Sequence, residues 1–377
     1  MGKLDCVVIG GGGVGGAAMY HLARKGAHVL GIDRFHPPHG LGSSHGHTRI
    51  IRNAYFEHPD YVPLLRRAYT LWRDLEAEVG GRLFDEIGLI EAGPPQGVLI
   101  PGVRRAESEH GCAVESLDHD EVRRRFPAFT IPEDHEVVFE AQAGQLHVEA
   151  CVDAHLTAAR RAGATLRTDT VVRGVEPDGE GVKVILDDEV ITADRAVITA
   201  GAWSSRLLGH LSVPLRVVHK SLFWYAGADP RLHIDSGCPV FAFETDAGFY
   251  YGFPRFDDQG VKLAEHGDGA LVTDPARVNR DLDEGARRRV DAFSQAYLQT
   301  KIDPYLRHAV CMYTMSPDEH FIVDTHPRHP QVVFAAGLSG HGFKFASVLG
   351  EVLAELAVEG ATARPIEFLR IGRFAEV

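Results

Sequence analysis

The tightest constraint on this chain is a glycine spacing close to its start. Gly10, Gly12 and Gly15 form G-x-G-x-x-G directly after an apolar run, Asp5 to Ile9. A helical pattern from about Val14 to Lys25 follows, with Ala17, Ala18, Leu22 and Ala23 on its apolar face. The first glycine permits a tight turn, the second lets backbone approach a pyrophosphate, and the third lets helix and strand pack closely. Phosphates at such a turn meet the free N–H groups and positive end of the helix. Gly26 suits the helix C-terminus, and a second strand, Ala27 to Ile32, closes at Asp33, 18 residues beyond Gly15, where a ribose-binding carboxylate belongs. A bare glycine-rich turn is the alternative, but it leaves the order strand, helix, strand, acid unexplained.

The remaining pattern predicts a mixed α/β (α+β) chain. With 377 residues, 45% of them hydrophobic, two intimately joined domains are expected. The Gly-, Ser-, Pro- and His-rich stretch from His36 to His47 reads as a loop, and Tyr61 to Val79 as a helix. Gly88 to Glu91 and Glu136 to Glu140 suggest a separate sheet. A helix from Val148 to Ala162 leads into short strands at Thr165 to Thr168, Val171 to Val175, Val182 to Leu186 and Ala196 to Ala200. Val213 to His266 alternates apolar and polar residues, is dense in aromatics, and predicts an antiparallel sheet with one buried face. A helix, Asp283 to Tyr297, comes next. The strand Gln331 to Ala335, the turn Gly337 to Gly342 and a helix from Phe345 to Val358 then rejoin the first domain. The expected architecture is a discontinuous FAD-binding Rossmann-like domain (1–85, 146–214 and 320–377). A mostly antiparallel-sheet substrate domain (86–145 and 215–319) is inserted in it. The early position of the motif and the split domain favour FAD over NAD. The small residues of Thr199-Ala200-Gly201-Ala202-Trp203 point the same way.

Composition narrows the partners. The net charge of -13 repels nucleic-acid phosphate and anionic lipid, so neither nucleic acid nor membrane is expected. No run approaches the ~18 apolar residues of a membrane span. Asp5 follows close on Lys3 with no secretory pattern, which predicts a cytoplasmic protein. Five cysteines without a CxxC pair argue against a disulfide framework and against a metal site.

Three further segments carry a likeness. They are Gly42-Ser43-Ser44-His45-Gly46-His47-Thr48-Arg49-Ile50-Ile51-Arg52, Cys311-Met312-Tyr313-Thr314-Met315-Ser316-Pro317-Asp318-Glu319 and Gly337-Leu338-Ser339-Gly340-His341-Gly342-Phe343-Lys344-Phe345. With the glycine motif they make the chain resemble the monomeric sarcosine oxidase and N-methyltryptophan oxidase group of amine oxidases. The resemblance implies FAD joined through its 8α carbon to the sulfur of Cys311. Asp33, Arg34, Ser43, Val172, Ala200, Gly201, Trp203, Gly337, Gly340, Gly342 and Lys344 would contact the cofactor beside Gly10, Gly12 and Gly15. Arg49 and Thr48 would lie at the flavin. Arg52 and Lys344 would bind a substrate carboxylate. Lys262 would assist O2, and His266, Tyr251, His45, Tyr313 and Gly340 would border the substrate. A monomer is also implied. Ser44 and His47 replace a His and an Asp of the family pattern, and Ala242 replaces a bulkier residue, which implies a wider cavity.

The chemistry suits these residue types. An arginine grips a carboxylate bidentately and a lysine adds a point charge. A fixed cation stabilises the charge that develops as O2 is reduced. The bland readings are a surface ion pair for Arg52, a wet-face position for Lys262 and a core thiol for Cys311. His45, His266 and His341 read equally well as structural histidines. The expected activity is oxidation of an N-methyl amino acid by O2, with formaldehyde, a primary amine and H2O2 as products. N-methyltryptophan, or a cyclic imino acid such as proline or pipecolate, is an alternative substrate. A dehydrogenase with another acceptor and a flavin-binding protein without turnover are alternative classes.

Overall fold

The computed structural model describes residues 3–211, 213–267 and 269–374; the outermost residues of the outlined dinucleotide domain lie outside these. Strand β1 (Leu4–Ile9), helix α1 (Gly13–Arg24) and strand β2 (Val29–Ile32) form the expected βαβ unit, with β1 and β2 parallel. Val190–Ile198 and His329–Ala336 extend the sheet in parallel on the β1 side, and Thr165–Arg167 on the β2 side. Antiparallel strands Gly174–Asp178, Gly181–Ile185 and Ile322–His326 finish it. The predicted strand Val171 to Val175 therefore begins three residues late, because residues 171–173 form the wall of a cavity. β1 and β2 are buried almost throughout, as a parallel sheet covered by helices requires. Helices Val148–Arg161 and Ala346–Glu359 flank α1. A Cβ on Gly350 would stand 2.4 Å from that of Ala17, so glycine sets how closely the last helix crosses α1.

The second sheet runs in the order 305–315, 216–225, 261–266, 248–253, 240–245, 89–93, 136–140 and 115–117. Neighbours are antiparallel except Val240–Thr245 beside Leu89–Gly93. The expectation of one buried face is corrected here. Phe223, Tyr225, Phe241, Phe243 and Leu263 pack with Val290 and Phe293 of helix Glu284–Tyr297 on one side. Leu222, Trp224, Ala242, Tyr251, Phe253 and Ala264 are buried on the other. The register places Cys311, Tyr313, Lys262, His266, Tyr251, Ala242 and Glu91 on this second face. A small sheet joins β3 (Thr48–Ile51) to Gly144–His147 and thence to Phe84–Asp85. Helices Leu99–His110 and His119–Arg125, and the strand carrying Cys311, go beyond the sequence reading. Among the described residues no helix is long and apolar enough to cross a membrane.

Candidate active site

The glycine turn behaves as its spacing demands. Gly10 adopts φ +99°, and a Cβ on Gly15 would lie 1.7 Å from the Gly10 carbonyl oxygen. Gly15 is thus a packing residue and does not line the cavity beside it. Gly12 has no side chain to cap α1; Ser44 Oγ accepts from the Gly13 N–H at 3.1 Å, and the N–H groups of Val14 and Gly15 remain for a ligand. The Asp33 carboxylate accepts from the N–H of Gly11 at 2.6 Å and of Phe35 at 2.7 Å. A cavity of about 1,730 Å³, mouth included, opens here. Gly10, Gly12, Asp33, Arg34, Ser43, Val172, Ala200, Gly201, Trp203, Cys311, Gly337, Gly340 and Gly342 all line it. Trp203 Nε1, a donor, is buried there without a partner. The partly open helix start, the orphaned donor and the bare glycine wall fit a dinucleotide.

Cys311 sits on the wall of this cavity, buried, with Arg49 Nη2 3.5 Å from its sulfur. Burial alone would push the thiol up, but His45 and the Arg49 guanidinium hold it down at about 7. Arg49 is fixed by the Thr48 carbonyl at 2.9 Å and the Ser43 carbonyl at 3.1 Å. Thr48 and His45 support this corner from outside the cavity lining.

A second chamber of about 520 Å³, mouth included, abuts the first and shares Arg49, Tyr313, Gly340 and Phe343 with it. Its other walls include Arg52, Glu57, Phe249, Tyr251, His266, His341 and Lys344. The surface reading of Arg52 does not hold: it is 4% exposed and pairs with Glu57 at 2.6 Å. Its Nε and Glu91 Oε1 stand 3.8 Å apart, each without a hydrogen bond. Burial opposes ionisation of Glu57, but Arg52, His341 and Lys344 overcome it and hold the carboxyl at about 2. Burial pushes Glu91 up to about 8 against the pull of Arg52. Burial, aided by Arg52, brings Lys344 down to about 7, while its Nζ donates to the His341 carbonyl at 3.0 Å. Burial likewise lowers His266 to about 3 and His341 to about 4, so both rings are neutral near pH 7. His266 Nδ1 lies 3.4 Å from the Tyr313 hydroxyl. Gly340 is tied to Tyr313 by space, since a Cβ there would meet the ring at 2.3 Å. Lys344 lines this chamber and not the dinucleotide cavity.

Lys262 lines neither cavity. It is 1% exposed, and its Nζ donates to the carbonyls of Gly46 and Thr48 at 2.7 Å each. Sequence reasoning missed Glu57, Glu91 and the aromatic walls Phe249 and Phe343. Glu91 carried a usable signal, a lone acid inside the apolar run Leu89–Gly93.

A split dinucleotide fold whose cavity opens onto a cation-lined, aromatic chamber defines a flavin oxidoreductase. The chain belongs to the FAD dependent oxidoreductase family, matching it over residues 5–356, and within it to the group of monomeric sarcosine and N-methyl-L-tryptophan oxidases. It is 39% identical over 377 residues to the monomeric sarcosine oxidase of Bacillus sp. (strain B-0618), covering 98% of this chain and 96% of the relative. It is 38% identical over 374 residues to the N-methyl-L-tryptophan oxidase of Yersinia pestis (strain Pestoides F), covering 98% and 99%. Among solved structures, NikD, an unusual amino acid oxidase essential for nikkomycin biosynthesis, superposes with a TM-score of 0.86 at 26% identity, covering 98% of each chain.

Proposed function

We propose that this enzyme oxidises a small N-methyl amino acid, with O2 as acceptor. In the net reaction a secondary amine, O2 and H2O give the primary amine, formaldehyde and H2O2. The N-methyl C–H and the amine lose two electrons and two protons, and the imine is hydrolysed. FAD, when bound, takes up the electron pair and passes it to O2. The observation that carries this reading is the junction of the two cavities at Arg49, Tyr313, Gly340 and Phe343. A ligand held by Arg52 and Lys344 faces the dinucleotide cavity across those side chains.

The chain's own residues then do the following. Arg52 and Lys344 grip the carboxylate and set its orientation. Tyr251, Phe249 and Phe343 enclose the apolar part of the amine and keep water out. Neutral His266 and Tyr313 offer hydrogen-bonding groups near the amine without adding a cation that would repel it. Arg49 fixes the corner at Cys311. Burial and Arg49 push Lys262 well below the usual lysine range, and the Thr48 and Gly46 carbonyls hold its Nζ, where its protonated form favours O2 reduction. The thiol of Cys311, close to thiolate at neutral pH, is suited to a covalent bond with the flavin. Residues 1–85, 146–214 and 320–377 form the FAD-binding domain and 86–145 and 215–319 the substrate domain, and the site is shared: Arg52, Phe343 and Lys344 come from the first, and Cys311, Tyr313 and Tyr251 from the second. Supplying sarcosine, N-methyltryptophan, proline and pipecolate in turn and measuring H2O2 tests the reading; absence of peroxide with both N-methyl amino acids refutes it, and peroxide from proline or pipecolate alone points to the cyclic alternative.

A further inference from the structure

His47 is strained, and the strain stands beside a group the proposed reaction uses. Its φ is +74°, in a region that is unfavourable for a residue with a side chain and survives only where neighbours enforce it. The neighbours are visible. His47 Nε2 is 3.0 Å from the Asp257 carboxylate and 3.3 Å from Gln259 Nε2. Its ring stacks on Phe256 at 4.7 Å. Its N–H donates to Glu149 Oε2 at 3.1 Å, its carbonyl accepts from Val148 N–H at 3.0 Å, and the preceding Gly46 N–H donates to Glu149 Oε1 at 2.8 Å. The residues on either side of it, Gly46 and Thr48, present the two carbonyls that hold the Lys262 ammonium. Phe256, Asp257 and Gln259 belong to the turn between strands Gly248–Phe253 and Val261–His266, the second of which carries Lys262. The turn at 46–48 and the hairpin at 256–259 are therefore clamped together on both sides of one buried lysine.

We propose that His47, latched to Asp257, is a positioning residue for Lys262: it locks the 46–48 turn so that both carbonyls aim at the ammonium. The inference rests on the reading that the Lys262 charge speeds reduction of O2. The latch acts mainly on that half of the cycle, because neither His47 nor Asp257 lines the substrate chamber and Arg49, which shares the Thr48 carbonyl, is also held by the Ser43 carbonyl.

Glycine adopts a positive φ freely, so His47→Gly keeps the turn accessible while removing the latch. Asp257→Asn and Asp257→Glu test the other partner. The holoenzymes are reduced anaerobically by amine and then mixed with O2, and backbone hydrogen exchange of residues 46–49 is followed in parallel. The expected result is flavin reduction within about twofold of the native rate, with kcat/KM for O2 lowered on the order of tenfold in H47G and D257N. That lies inside the ~100-fold that a misplacement of 1 Å can cost. Exchange at 46–49 accelerates in the same two variants, and D257E restores much of both. Native kcat/KM for O2 in H47G and D257N, with Lys262→Met slow, overturns the latch and leaves the lysine's role standing. Native kcat/KM for O2 in K262M overturns both.

Discussion

Lys344 should make binding of the substrate carboxylate pH-dependent, and the structure sets the direction of the effect and its rough size. Burial and the neighbouring Arg52 bring its ammonium from the ordinary 10.5 down to about 7. A carboxylate that binds only the protonated lysine is held fully below that value and progressively lost above it. Affinity should fall tenfold per pH unit beyond about 7, so that Kd rises by roughly two orders of magnitude from pH 6 to pH 9. Glu57 at about 2, His266 at about 3 and His341 at about 4 keep their charge across this window. Cys311 also lies near 7, and Cys311→Ser removes its titration from the comparison. The clean assay is titration of the flavin absorbance with acetate, which has no amine of its own to titrate. Lys344→Met should bind more weakly at pH 6 and lose the bend near 7. It should keep a shallower one near 8, where Glu91 ionises beside Arg52. Removing Glu91 as well should flatten the profile. A native profile level from pH 6 to pH 9, or one unchanged in K344M, refutes the argument.

Other substitutions probe the rest of the design. Cys311→Ser should release FAD on acid precipitation, leaving a colourless pellet where the native pellet stays yellow. Glu91 binds its proton up to about 8 in the folded chain against 4.5 ordinarily. Stability should therefore fall by about 1.4 kcal/mol per pH unit between those values. Glu91→Gln should remove this slope, worth roughly 2 kcal/mol between pH 6 and pH 8 in denaturant titrations. Gly15→Ala puts a methyl 1.7 Å from a carbonyl oxygen, so it should cost about 1–3 kcal/mol or more and lower FAD occupancy, read from the absorbance ratio of flavin to protein.

What the sequence could and could not reveal follows from the range of the forces involved. The dinucleotide turn is local: Gly10, Gly12, Gly15 and Asp33 lie within one βαβ unit, and each answers to a steric or hydrogen-bonding need met inside it. The environment of Arg52 is not local. Glu57 reaches it across a loop, Glu91 from another sheet and Lys344 from near the chain's end, so no periodicity connects them. The buried ion pair was consequently invisible, although lone charges in apolar strands, Lys262 and Glu91, marked where to look. Two of the missed helices, Leu99–His110 and His119–Arg125, carry strongly charged outer faces with few buried positions, four in the first and one in the second, which leaves little apolar signal.

The second sheet ties these points together. Alternation along a strand is a period of two, so Cys311 and Tyr313 necessarily share a face, as do Lys262 and His266. Within each strand that much was readable. What joins the strands is register: Cys311 opposite Lys220, Leu222 opposite Ala264, Ala264 opposite Tyr251, Tyr251 opposite Ala242, and Ala242 opposite Glu91. A slip of one residue anywhere would turn half the site into the Phe223–Phe241–Phe243 core and bring those rings to the cavities. The core therefore does more than stabilise the substrate domain. Large aromatics on the far face, packed against helix Glu284–Tyr297, forbid the slip, and the near face is free to carry a thiol, two tyrosines, a histidine, a glutamate and a buried lysine. The aromatic density of the 213–266 segment was legible as hydrophobic content. Its function as the register lock for the near face becomes visible only once both faces are known to be buried.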